Sequence, residues 1–125
     1  MARRIKGQIS LEFMILVGIG FLLLISVVSM SFSELKKIQD KKEQNIVMNF
    51  ANNIYDEVNI ATNAHEGYTR QFKIKDDKLN FYTVNNYLIV ESTKFEYEKK
   101  LNNFEGKFKE GMNEISKKNG IVKVN

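Results

Sequence analysis

The chain has no cysteine, no proline, no tryptophan and a single histidine. Without cysteine it has neither a disulfide framework nor a thiolate metal site, so stability has to come from packing and assembly. Without proline, and with no glycine between Gly20 and Gly67, nothing in that interval breaks a helix. His65 stands alone, no serine or lysine sits in a nucleophile motif, and no glycine-rich phosphate loop occurs. Catalysis, a metal and a cofactor are therefore not expected. No Asn-x-Ser/Thr acceptor for glycosylation is present either. Charge of one sign is scarce as well: the formal charge is +4, but Arg3, Arg4 and Lys6 crowd the N-terminus. The rest balances 16 basic against 15 acidic residues. These alternate along the chain as on a solvated surface, which argues against a nucleic-acid partner.

What the chain has in plenty is a hydrophobic run. Phe13 to Ser33 is 21 residues without a charge, and as a helix it spans about 31 Å, the thickness of a bilayer's hydrocarbon core. It exceeds the apolar core of a secretory signal peptide, about 7 to 15 residues, and no small-residue cleavage site follows it. The small residue Gly7 precedes the run instead, directly after the basic cluster. Glu12 is the odd residue, set between Leu11 and Phe13. Fifteen Leu, Ile, Val and Phe residues lie between Ile9 and Phe32. Each favours insertion by about 0.3 to 0.6 kcal/mol, against a cost of about 2.5 to 3.5 kcal/mol for an acid at the helix centre. Insertion tolerates Glu12 without explaining it. By itself the carboxylate reads as a first-turn charge favoured by the helix dipole by about 0.3 to 1 kcal/mol.

The stretch Lys6-Gly7-Gln8-Ile9-Ser10-Leu11-Glu12-Phe13 resembles the archaeal class III signal peptide of type IV pilin-like proteins, in which basic residues and Gly precede Gln-x-Ser-x-Glu and a hydrophobic helix. The resemblance implies recognition through Lys6, Gly7, Gln8, Ser10 and Glu12. A prepilin-peptidase-type aspartic protease would cut between Gly7 and Gln8 on the cytoplasmic side and leave the apolar helix in the mature protein. It also implies that Glu12 pairs with the new α-amino group of a neighbouring subunit's Gln8. Unit charges 4 Å apart attract by about 4 kcal/mol at an effective dielectric of 20, before desolvation is subtracted. Orientation with the N-terminus inside rests on this resemblance, since Arg3, Arg4, Lys6 and the initial amine are matched by Lys36, Lys37, Lys41 and Lys42 beyond the apolar run.

Past Ser33 the helical pattern continues. Val47, Phe50, Ala51, Ile54, Val58 and Ala61 keep helical spacing, and the pattern predicts one helix from about Ile9 to Asn63. Its middle, Glu34 to Asn45, is highly charged and should be wet; its last third is amphipathic and needs a partner surface. That surface is predicted in strands at Tyr68–Ile74, Leu79–Val84, Tyr87–Glu91 and Thr93–Lys99, then two strands after Gly111 joined at Asn119-Gly120. Asp76-Asp77 and Asn85-Asn86 supply turns. The aromatic and methionine residues of this part are expected to face the core, and Gly18 and Gly20 lack the Gly-x-x-x-Gly spacing of a helix-pairing motif.

The expected class is α+β. A long N-terminal helix, half transmembrane and half amphipathic, packs on a small antiparallel β head, an arrangement that resembles archaeal pilin-like proteins. The expected organisation is a cleaved leader (1–7), an apolar assembly helix (8–33), its amphipathic extension (34–65) and the β head (66–125). The function the resemblance implies is a major or minor subunit of an archaeal type IV pilus-like surface filament, serving adhesion. It would be single-pass in the membrane before assembly and at the cell surface afterwards. Its partners would be a prepilin peptidase, other pilin-like subunits, the pilus assembly platform and the membrane. The alternative is a permanently anchored binding or motor-accessory module with an extracytoplasmic β head.

Overall fold

The computed structural model describes residues 2–75 and 78–124, with side chains from residue 7 onward. Asp76 and Asp77, expected as a turn, lie outside the described residues, as do the side chains of Arg3, Arg4 and Lys6. One helix, α1, runs from Ala2 to Asn63. It begins seven residues earlier than the apolar pattern suggests, because no proline stands at its start and a lone glycine at position 7 weakens a helix without stopping it. Two compact units divide the chain, Met1–Asp40 and Lys41–Asn125.

The second unit holds the core. Seven strands follow the helix: β1 (Thr69–Ile74), β2 (Asn80–Val84), β3 (Tyr87–Glu91), β4 (Glu96–Lys100), β5 (Phe104–Gly106), β6 (Gly111–Lys118) and β7 (Ile121–Val124). They form two sheets, one in the order β1-β6-β7-β5 and one in the order β2-β3-β4. Val47, Ala51, Ile54, Val58 and Ala61 on the helix share one buried cluster with Leu88 and Val90 of the smaller sheet and Ile74, Ile115 and Val122 of the larger. The amphipathic face thus finds the partner its spacing requires. The class is α+β.

The turns follow from their residues. Asn85-Asn86 joins β2 to β3 and Asn119-Gly120 joins β6 to β7, both with positive φ at the two central residues, the backbone that two-residue hairpins demand. Three details depart from the sequence reading. The strand expected at Thr93 starts at Glu96, because Ser92 N–H donates to the Phe95 carbonyl at 2.7 Å and closes a turn there. The short strand β5 pairs with β7 in parallel, so the larger sheet is mixed. Gly106 makes that approach possible: its φ is +124°, and a Cβ there would meet the Val124 carbonyl oxygen. Lastly, Met112, Tyr82 and Tyr87 stand exposed on the outer sheet faces, not in the core where they were expected.

Most buried polar groups inside this unit are paired, although Glu57 Oε2 is buried without a hydrogen-bond partner among the described residues. Asn113, the one buried polar residue among those described, donates to the carbonyls of Lys109 (2.7 Å) and Gly111 (3.1 Å) and accepts from Lys109 N–H (2.9 Å). The Lys117 ammonium donates to the carbonyls of Thr62 (2.7 Å) and Ala64 (2.8 Å), satisfying acceptors left over at the helix end. His65 is exposed two residues beyond the helix. The Glu66 carboxylate accepts from Asn119 and Gly120 N–H at 2.9 and 2.8 Å and so fastens the last hairpin.

Candidate functional site

Gly7, Gln8, Ser10 and Glu12 all lie within α1, and each is exposed. Gln8 and Glu12, four residues apart on a helix, share a face. Gly7 is open on its side-chain side, with nothing within 4 Å of where a Cβ would stand. Glu12 has no hydrogen bond or ion pair among the described residues. The structure thus places Gln8, Ser10 and Glu12 within the same two helical turns and supplies no partner for the carboxylate among the described residues.

Directly after Glu12 the helix is apolar on every side. From Ile9 to Phe32 the large hydrophobic side chains are between 43% and 75% exposed. None of the most apolar window is buried, and this is the one described helix long and apolar enough to cross a membrane. Keeping such side chains in water forgoes about 1.5 to 3 kcal/mol each relative to an apolar environment. Two of the four serine hydroxyls in the apolar run, which would be awkward in hydrocarbon, are satisfied along the helix itself. Ser26 Oγ donates to the Leu22 carbonyl at 2.9 Å and Ser31 Oγ to the Val27 carbonyl at 3.0 Å. Charge resumes at Glu34, which pairs with Lys37 at 3.2 Å on the exposed surface.

In the second unit the described residues bring no acid, base and nucleophile together, and no group of three or more His, Asp or Glu could hold a metal. A cleft of about 300 Å³ is lined by Phe50, Ile54, Phe72, Ile74 and the polar Asn53, Glu57, Lys73 and Lys75. Glu57 is partly committed within the fold, with Oε1 3.4 Å from an Arg70 guanidinium nitrogen. On the outer face of the smaller sheet Tyr82 donates its hydroxyl to Glu91 at 2.6 Å. That hydrogen bond to a carboxylate raises the Tyr82 hydroxyl from 10.0 to about 12. Lys99 lies 4.2 Å from the Tyr55 ring centre and donates to Asn52 at 2.8 Å, tying β4 to the helix.

Sequence reasoning found the core face of the helix but missed Lys117 as the helix-end cation. Its signal was weak: Lys117 is an inward position of β6, two residues on from buried Ile115, and a lysine there needs a carbonyl partner. Comparison of the chain with protein families, with curated proteins and with solved structures gives no match.

Proposed function

We propose that this chain is a subunit of an archaeal type IV pilus-like surface filament, cut between Gly7 and Gln8 by a prepilin peptidase and polymerised through its N-terminal helix. The observation that carries the reading is the register of Gly7, Gln8, Ser10 and Glu12 between a basic N-terminus and a helix apolar on all sides. A bilayer satisfies such a helix before assembly, and identical helices from other copies satisfy it afterwards. A contact repeated without closing on itself gives a helical polymer. Gly7 also suits the cut. A protease needs its scissile peptide extended, and glycine, after proline, is the residue whose helical state costs most, about 1 kcal/mol relative to alanine.

Cleavage acts as a switch in this scheme. It removes Arg3, Arg4 and Lys6, which hold the N-terminus at the cytoplasmic face, and exposes an amine at Gln8. Glu12, with no partner among the described residues, takes a neighbour's amine. Adhesion is the use proposed for the filament. The reading of a permanent tether keeps the same helix and dispenses with the cut.

The test is Glu12→Gln. The amide keeps size and polarity but loses the charge pair, so a neighbour's amine is desolvated without a counter-ion, at about 3 to 5 kcal/mol. The variant inserts into the membrane, is cut at Gly7 and is missing from sheared filaments. Wild-type amounts of Glu12→Gln protein in filaments would overturn the pairing.

A further inference from the structure

The two sheets of the second unit leave two strand edges open. In the order β1-β6-β7-β5 the strand β1 is an end, and in the order β2-β3-β4 so is β4. The other two ends meet each other, since Thr83 of β2 donates its hydroxyl to the Gly106 carbonyl of β5 at 3.2 Å. Hydrogen-bond alternation fixes which backbone groups the open edges present. Beside β1, Lys117 N–H donates to the Tyr68 carbonyl. In the antiparallel register Arg70, Phe72 and Ile74 therefore bond β6, while Thr69, Gln71 and Lys73 turn their N–H and C=O outward. Beside β4, Ser92 N–H donates to the Phe95 carbonyl and Leu101 N–H to that of Asn86, so Glu96, Glu98 and Lys100 turn theirs outward. All six of these outward residues are exposed.

A row of unpaired N–H and C=O groups is a template for another strand, and charge selects which strand. From Thr69 to Lys75 the chain carries Arg70, Lys73 and Lys75 and no acid, whereas β4 opens with Glu96 and Glu98. The side chains of Lys73, Lys75, Glu96 and Glu98 make no hydrogen bond or ion pair among the described residues. Lysines on an edge discourage pairing with a copy of the same strand. Those on β1 are complemented by the glutamates of β4. Direction agrees as well. β1 runs back along the helix, from Arg70 beside Glu57 to Lys75, which shares a cleft with Ile46. β4 runs forward along it, from the turn where Ser92 bonds Glu43 to Lys99, which bonds Asn52. In two copies standing side by side in one orientation, β1 of one and β4 of the other are antiparallel and lie at the same levels of the helix.

We infer that β1 of one copy pairs with β4 of a second copy as adjacent antiparallel strands, with Gln71 opposite Lys100, Lys73 opposite Glu98 and Lys75 opposite Glu96. In this register the outward N–H and C=O groups of the two edges bond one another, and the opposed side chains share the outer face of one continuous sheet. A shift of two residues, to Lys73 opposite Glu96, keeps one pair of unlike charges and sets Lys75 against Lys94. The contact is heterologous: each copy offers one β1 and one β4, so copies add in a row without closing. The inference rests on one part of the reading above, membrane anchoring, which gives the copies a common orientation. It needs neither cleavage nor the Glu12 pairing. Anchoring also raises the effective concentration of one edge for the other, so that a short strand suffices.

The absence of cysteine makes the test clean. Two differently tagged full-length chains, both Gly7→Val so that neither loses its leader, are made together. One carries Gln71→Cys and the other Lys100→Cys, which leaves both lysine–glutamate pairs intact. Oxidised in the membrane, they are expected to give mixed-tag disulfide dimers. The yield should be about tenfold above that of Thr69→Cys with Lys100→Cys, one register step away, and of Gln71→Cys with Gln71→Cys. Glu96→Lys with Glu98→Lys in the Lys100→Cys chain lowers the yield about tenfold, and adding Lys73→Glu with Lys75→Glu in the Gln71→Cys chain restores it. Equal yields from the three cysteine combinations, no loss on the first reversal, or a loss that the second does not restore overturns the pairing. Alkaline extraction of the same membranes reports anchoring separately. A chain released by it lacks the anchoring on which the inference rests, whereas a retained chain without the preference overturns the pairing alone.

Discussion

The two units put apolar residues to opposite uses. From Ile9 to Ile38, in the first unit, the large hydrophobic side chains are exposed around the whole helix, and no described residue covers them. In residues 41–125 the same helix shows an apolar stripe only, and Val47, Ala51, Ile54, Val58 and Ala61 vanish into a core closed by two sheets. A helix apolar all round asks for a medium, whether lipid or a bundle of like helices; a striped helix asks for a surface. One unit is therefore incomplete as a folded object in water, while the other contains its own partner.

Substitutions should separate the two. Leu88 is fully buried, so Leu88→Ala should lower stability by about 2 to 5 kcal/mol in chemical denaturation of the full chain in detergent. Leu23→Ala, on the exposed apolar helix, should change the same transition by less than about 0.5 kcal/mol. Equal effects would show that the units do not unfold separately. A smaller effect is expected at the helix end. Lys117→Met leaves the Thr62 and Ala64 carbonyls without their cation and should cost about 1 kcal/mol, more at low salt than at high. A loss that ignores salt would assign Lys117 a packing role only.

Where the sequence carried a period or a motif, the fold was legible in it. The helical spacing from Val47 to Ala61 named the buried face, and Asn85-Asn86 and Asn119-Gly120 named two hairpins whose backbones have the positive φ values those residues tolerate. Phe50, counted with that face, is only partly buried, because it sits at the rim of the stripe beside the Phe81 ring, 5.4 Å away. The misses were non-local. The parallel strand β5 is three residues long and depends on Gly106 meeting Val124, a contact no local pattern announces. Tyr82 and Tyr87 alternate as core residues would, yet the register that buries Leu88 and Val90 turns them outward. At the N-terminus Gln8, Ser10 and Glu12 are alternate residues of one short helical stretch, and their reading as a motif comes from the sequence alone.

The account turns on whether the chain loses its basic N-terminus, and the mass of the protein recovered from sheared cell-surface material measures that directly. A mature chain beginning at Gln8, or at its cyclised form lacking one ammonia, is the result the filament reading predicts. Met1 or Ala2 retained in surface-exposed protein would contradict it and leave the permanent tether as the function of the apolar helix.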